Sequence, residues 1–307
     1  MPASSQIHSR AQAGFANATS YDQHRPTYSA EIVQYLLEQV RGAGKEGATV
    51  LDLAAGTGKL TEVLASRDEG YKIVAVEPHD EMRAVLAAKK LKRVEVVKGT
   101  AESMSDIEDE TVDAVVVGQA FHWFASMSAL KEIHRVLRSH GALGLLWNVE
   151  DYNNSKEHKA SSEWEQKAKD LTWQVCEEVG DQEPRFRHMQ WKKVFDEQVK
   201  KTPLSLIKAS DDQLFSLPIA EHHQPWQVAL PADKVWERYR TLGHISVLED
   251  EKLEKTKVTF MDAIGARDVE TDAAGNVVVH GNTYVVWTTK IPAEGRENLT
   301  EVERLGA

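Results

Sequence analysis

Val50-Leu51-Asp52-Leu53-Ala54-Ala55-Gly56-Thr57-Gly58-Lys59-Leu60-Thr61 is the stretch that decides the fold. A short apolar run carrying Val50, Leu51 and Leu53 ends beside an acid and passes through a turn of small residues. It then continues into a segment with Leu60, Val63 and Leu64 at helical spacing. The pattern is a buried strand, a tight turn and a helix. Glycines without Cβ atoms let a ligand approach the backbone of the turn closely. Two ligand classes compete for such a turn. A dinucleotide-binding turn follows G-x-G-x-x-G, and here the third small position is held by Thr61. A carboxylate at the strand end repels a diphosphate and attracts an ammonium. Asp52 therefore favours a ligand with an amino-acid tail over one with two phosphates.

The same alternation repeats outward from this turn. Upstream, Val33, Leu36, Leu37 and Val40 share one helical face behind Ser29, a capping residue. Downstream, Ile73–Val76, Val94–Val97, Val112–Val117 and Gly141–Trp147 read as strands. Helical segments around Met82, Val85 and Leu86 and around Leu130, Ile133 and Val136 lie between some of them. The unbroken apolar run Val112–Val117 fits a strand covered on both faces. Strands alternating with helices at this pitch predict a Rossmann-like α/β fold, with a seven-stranded, mostly parallel sheet. After residue 150 the pattern changes. Residues 155–201 read as helical, 215–230 as loop or edge strand because of Pro218, Pro225 and Pro231, and 232–264 as two more helices. Val277–Val279 and Thr283–Thr288 read as strands joined by a tight turn at His280-Gly281-Asn282. The expected organisation is a covering segment over 1–30, a ligand-binding core over 31–150, a mostly helical lid over 151–270 and sheet-completing strands over 271–307.

Three further stretches carry chemistry. Glu77-Pro78 closes the second strand, where an acid binds ribose hydroxyls in nucleotide-type folds. Gly99-Thr100-Ala101-Glu102 follows the third strand, and Gly118-Gln119-Ala120-Phe121-His122-Trp123-Phe124 follows the fourth. With Asp52 they favour S-adenosyl-L-methionine, which carries an ammonium where NAD carries phosphates. Glu102 is equally readable as a surface acid, and His122 as a packed neighbour of Trp123.

At these residues the sequence resembles the class I S-adenosylmethionine-dependent methyltransferases. The likeness is to the type 11 small-molecule branch that includes fungal trans-aconitate methyltransferase-like proteins, and it runs from Phe15 to Asn148. The acid-and-glycine motif is Asp52, Ala54, Gly56 and Gly58, with Ala54 in place of the first glycine. The resemblance implies cofactor contacts from these residues and from Glu77, Pro78, Met82, Thr100, Ala101, Glu102, Gln119, Ala120 and Phe121. It also implies that Tyr21-Asp22-Gln23-His24-Arg25-Pro26-Thr27-Tyr28 folds over the cofactor, with Tyr21 or Arg25 reaching its carboxylate. The acceptor is expected beside His122, Trp123, Trp147 and Asn148, with His122 either the catalytic base or a positioning group. O-methylation of a carboxylate or hydroxyl is the expected reaction. A cofactor-binding protein with a non-methylating catalytic or regulatory role is the alternative.

The remaining composition excludes more than it adds. With 37 basic against 48 acidic residues the net charge is -11, which argues against nucleic acid as a partner. The basic run Lys89–Arg93 reads as a solvated helix end. No stretch has the roughly 20 apolar residues of a membrane span, and the N-terminus has no apolar signal core, so the chain reads as cytoplasmic. The single Cys176 lies on the helical stripe Trp164, Ala168, Leu171, Val175 and Val179, a packing position. Glu221-His222-His223 is the nearest approach to a metal cluster. Adjacent histidines on a strand face opposite ways, so no metal is expected. Lys59 lacks P-loop spacing and no Gly-x-Ser-x-Gly elbow occurs. The expected partner is a small-molecule acceptor, and the oligomeric state is open.

Overall fold

Strands β1 (Thr49–Leu53), β2 (Lys72–Val76), β3 (Val94–Val97), β4 (Val112–Gly118) and β5 (Leu137–Glu150) run parallel in the computed structural model of the chain, which describes residues 27–198 and 213–292. β7 (Val277–Thr289) and β6 (Ala220–Leu230) complete a seven-stranded sheet of order β3-β2-β1-β4-β5-β7-β6, with β7 antiparallel to both neighbours. This is the expected Rossmann-like α/β sheet. The chain order reverses between β1 and β4, and in open α/β sheets that reversal marks the ligand crevice at the strands' C-terminal ends.

Side chains of alternate parity explain the apolar strands. Val115 and Val117 of β4 join one core with Leu51, Leu53, Leu143 and Leu145, under helix α4 (Met127–Val136). Ala114 and Val116 join the other with Val50, Ile73 and Leu146, under helices α1 (Ala30–Gln39) and α2 (Lys59–Ala65). A strand buried on both faces cannot alternate in polarity. Ser29 caps α1 by accepting the Ile32 N–H at 3.2 Å. Helix α3 (Asp80–Ala88) follows β2 and buries Met82 and Leu86.

The second half departs from the sequence reading in three places. First, residues 155–201 are not one helical region. Helix α5 spans Glu163–Glu178, ends before Gly180 at φ +60°, and gives way to the short turns Phe186–His188 and Gln190–Lys192 and a four-residue helix. Second, the stretch 215–230, read as loop or edge strand, is in its greater part the edge strand β6, so the 151–270 stretch is not helical throughout. Pro225 sits within it, opposite Asn282, where an edge tolerates a missing N–H. Third, His280-Gly281-Asn282 is not a turn, because β7 runs through it without a break. A Cβ on Gly281 would lie 2.3 Å from the Trp226 ring and 2.6 Å from the Val149 carbonyl oxygen. Glycine stands there so that an indole can cross the strand, not so that the chain can reverse. β5 is also longer than the expected Gly141–Trp147, because pairing with β7 continues to Glu150.

Beyond the end of β5 the N-terminal part of β7 pairs with β6 and, at Val277, with Thr271, and it carries a third core. Val277 and Val279 pack there with α5, α6 (Ala232–Arg240) and α7 (Asp250–Ile264) through Trp164, Tyr239 and Phe260. Glu165 of α5 is fully buried and accepts the His280 N–H at 2.6 Å. That contact ties the helical layer to the sheet.

Candidate functional site

The turn after β1 is shaped by left-handed backbone. Ala54, Gly56 and Gly58 take φ of +57°, +59° and +89°. Glycine has no penalty there, whereas alanine costs roughly 1 kcal/mol. Ala54→Gly is therefore expected to raise stability by up to about 1 kcal/mol in thermal or urea unfolding, with ligand binding kept. A Cβ at Gly58 would lie 2.3 Å from Leu86, so α3 packs directly on the turn. The Met82 sulfur lies 3.7 Å from where a Gly56 Cβ would stand.

Glu77 bridges two strand ends. One carboxylate oxygen accepts the Gly56 N–H at 2.7 Å and the other the His79 N–H at 2.8 Å. The side chain is buried, and burial pushes its carboxyl above the usual range although both N–H groups favour the charge. Each oxygen keeps a further lone pair. Asp52 is deeper still, at 1% exposure, and accepts the Thr61 hydroxyl at 2.6 Å. Burial, with a smaller push from the Glu77 charge, raises its carboxyl to about 7 against the Thr61 hydrogen bond. The Asp52 carboxylate is thus buried beneath the turn.

At the next strand ends, Ala101 is buried and Glu102 half-exposed. The Thr100 hydroxyl and the His79 Nδ1 are buried with no hydrogen-bond partner. Pro78 links Glu77 to His79, and its carbonyl accepts from Arg83 at 3.2 Å. After β4, Gln119 takes φ +61°, donates its N–H to the Leu146 carbonyl at 2.7 Å and its side-chain amide to the Asn148 carbonyl at 2.8 Å. Strained backbone of this kind concentrates at functional sites. Ala120 opens the short turn Phe121–Trp123.

The residues expected around the acceptor divide. Phe121, expected at the cofactor, is fully buried with its ring stacked on Phe195 at 5.6 Å. Asn148 is consumed as a staple. It donates to the Thr27 carbonyl at 3.2 Å and accepts the Thr283 hydroxyl at 2.6 Å. Trp147 is fully buried against Trp191 and donates its indole N–H to His122 Nδ1 at 3.1 Å. The side chains of both residues, expected at the acceptor, are thus engaged by partners within the fold. His122 and Trp123 are partly exposed. An indole N–H only donates, so His122 Nδ1 accepts and the neutral ring keeps its proton on Nε2. Burial and the charges of Arg185 and Arg187 lower the His122 pKa to about 3. The tautomer set by Trp147 leaves an N–H rather than a lone pair at Nε2. Tyr21 and Arg25 lie outside the described residues. Tyr28, the last residue of their segment, is buried, and its hydroxyl lies where a Gly118 Cβ would come within 2.7 Å.

Sequence reasoning missed Arg185, Arg187 and His188, although Pro184-Arg185-Phe186-Arg187-His188 interrupts an acidic stretch with basic and aromatic residues. The Arg185 guanidinium lies 5.0 Å from the Trp123 ring centre. Cys176, Asp181 and His244 also cluster, with candidate ligand atoms within 4.8 Å of one another. The Arg187 guanidinium already stands among them, 2.8 Å from the thiol sulfur, 3.2 Å from His244 Nδ1 and 3.9 Å from Asp181. His222 and His223 face different neighbours, Tyr35 at 4.3 Å and Tyr284 at 6.1 Å.

Comparison with known proteins bears on this turn. The chain is 43% identical over 132 residues to an uncharacterized methyltransferase of Schizosaccharomyces pombe, covering 43% of this chain and 50% of that protein. It is 44% identical over 132 residues to an uncharacterized methyltransferase of Mycobacterium bovis, with the same coverage of both. The chain thus spans about half the length of the curated relatives it matches. Among solved structures, the YcgJ protein from Bacillus subtilis superposes with a TM-score of 0.50 at 18% identity, over 84% of this chain and 98% of that one. Phosphoethanolamine N-methyltransferase 2 of Haemonchus contortus does so with a TM-score of 0.52 at 13% identity, over 94% and 61%. These two likenesses establish the fold. The family model described as a methyltransferase domain matches residues 51–145, the segment that holds the glycine turn, Glu77 and the His122 turn.

Proposed function

We propose that the chain is an S-adenosylmethionine-dependent methyltransferase of the type 11 small-molecule branch, moving a methyl group to a carboxylate or hydroxyl oxygen of a small acceptor. The observation that carries this reading is Glu77, locked by the Gly56 and His79 N–H groups at the lip of a glycine turn. That carboxylate has lone pairs left for two ribose hydroxyls, and Asp52 beneath supplies the negative field an ammonium needs. The buried Thr100 hydroxyl and His79 Nδ1, at the ends of the neighbouring strands, have no hydrogen-bond partner of their own. A diphosphate finds two buried carboxylates there instead of a cradle.

Bound S-adenosylmethionine supplies a methyl group already activated by its sulfonium. The protein's work is to align an acceptor oxygen, exclude water and, for a hydroxyl, remove a proton. His122 is held by Trp147 through Nδ1 with its proton on Nε2, so it orients an acceptor oxygen by donating to it. A carboxylate acceptor needs no base, and His122 suits that case better than proton removal. Calorimetric titration tests the reading. S-adenosylhomocysteine is expected to bind with micromolar or tighter affinity and NAD not to bind, and the reverse order sinks it.

A further inference from the structure

Away from the glycine turn, the helical layer brings one thiol, one imidazole and one carboxylate together. Cys176 lies in the last turn of α5, Asp181 just past its end, and His244 in a four-residue helix over Gly243–Ser246. All three are buried. They converge on a single atom, a terminal nitrogen of Arg187. That nitrogen lies 2.8 Å from the Cys176 sulfur, 3.2 Å from His244 Nδ1 and 3.9 Å from an Asp181 oxygen. A guanidinium only donates, so the sulfur and the ring nitrogen turn lone pairs toward it, and Asp181 adds charge. A thiolate, an imidazole and a carboxylate are donors of the kind zinc takes. Arg187 is a poor occupant of such a place. It shares the Asp181 oxygen with Arg185, which lies closer at 3.3 Å. Its Nε–H is buried without a hydrogen-bond partner, which is costly.

We propose that Cys176, Asp181 and His244 form a binding site for a thiophilic divalent cation of the zinc type, whose place the Arg187 guanidinium holds in the metal-free protein. When the metal–sulfur bond forms, the thiol gives its proton to solvent and the guanidinium leaves. The buried charge is the same before and after. Two guanidiniums and one carboxylate become one guanidinium, a divalent ion, a carboxylate and a thiolate. The donor atoms lie within 4.8 Å of one another, whereas tetrahedral bonds of about 2.0–2.3 Å need about 3.5 Å, so the donors close in by roughly 1 Å. Asp181 is the donor freest to supply that movement, because it stands in a loop rather than a helix. Arg187 also has somewhere to go. It lines a cavity of about 550 Å³ together with Trp173 and the exposed Glu157. Its guanidinium already lies 5.6 Å from the Trp173 ring centre, and Glu157 offers it a carboxylate of its own.

The test uses the full chain without an affinity tag, and the probes are Cd2+ and Zn2+. Cys176 is the chain's only cysteine, so the ultraviolet absorption of a cadmium–thiolate bond reports this site alone. Titration with Cd2+ is expected to develop that band with an end point at one ion per chain, and Zn2+ to abolish it by competition. Arg187→Gln removes the competing cation and is expected to bind Cd2+ at least tenfold more tightly. His244→Asn removes a donor and is expected to bind at least tenfold more weakly, with Asp181→Asn as the alternative should that variant not fold. Thermal melting gives an independent readout. Zn2+ is expected to raise the Tm of the unaltered protein and of Arg187→Gln, and to leave that of Cys176→Ser where it was. Absence of the band at a tenfold excess of Cd2+ overturns the proposal. So does an affinity that Arg187→Gln or the loss of a donor leaves unchanged, and so does a zinc-dependent rise in Tm that survives Cys176→Ser.

Discussion

Glu77→Gln is expected to weaken S-adenosylhomocysteine binding by about a hundredfold while leaving the sheet folded. The carboxylate accepts the Gly56 N–H at 2.7 Å and the His79 N–H at 2.8 Å, so each oxygen has one lone pair committed and one to offer. An amide replaces one oxygen by an NH2 group, which then faces a backbone N–H, donor against donor. One bridge is lost, and so is one ribose acceptor. The remaining acceptor no longer carries charge. Hydrogen bonds to charged groups contribute about 1.5–3 kcal/mol each, and about 2.8 kcal/mol is a hundredfold in affinity. Glu77→Ala is the less informative change, because it leaves both N–H groups unpaired and a cavity beside the turn. Calorimetry for affinity and thermal melting for stability separate the two effects. Equal affinity of the Gln variant and the unaltered protein would remove Glu77 from the site.

The parts of this fold that were legible in the sequence are those set by local periodicity. The run from Val112 to Val117 can only be a strand covered on both faces, and the two cores that divide its side chains give the reason. Ser29 announces its helix because a capping side chain acts on residues three positions away. Gly281 was misread because a glycine flanked by polar residues signals a turn locally. Its actual cause, the Trp226 ring, lies 55 residues earlier in the chain, on another strand. The site divides the same way. Asp52, Gly56, Gly58 and Glu77 sit at strand ends, and strand ends were readable. Asn148 and Trp147 also sit at a strand end, yet their side chains are engaged by Thr27, Thr283 and His122, partners that no spacing rule supplies. Arg185 was invisible for the converse reason. It lies in an irregular loop, and its meaning comes from Trp123, Asp181 and Gly243, which no short-range pattern links to it.

The Asp52 carboxyl makes a second large effect measurable, and its sign follows from burial. Its folded value is about 7 against an ordinary 3.8, so between those limits the native state binds more protons than the unfolded chain. Stability therefore falls as pH rises through that window, by up to about 1.4 kcal/mol per pH unit, and the full cost is present above 7. Asp52→Asn keeps an oxygen for the Thr61 hydroxyl and cannot ionise. It is expected to stabilise the ligand-free protein by up to about 4 kcal/mol near pH 8, with the gain vanishing toward pH 4. Ligand binding runs the other way. An ammonium above the turn favours the ionised carboxylate, so binding below pH 7 must expel a proton. The affinity of the unaltered protein for S-adenosylhomocysteine should rise up to tenfold per pH unit toward pH 7 and then level off. The Asn variant should lack that slope and bind at least about tenfold more weakly at pH 8, since a charge-assisted attraction of 1.5 kcal/mol or more is lost. Denaturant unfolding and calorimetry across pH 4–8 measure both halves. A variant more stable than the unaltered protein yet equally tight and equally pH-dependent in binding would mean that the charge beneath the turn serves no ammonium. A buried carboxylate that costs stability where an amide fits is the trade of stability against function expected where the charge serves a ligand.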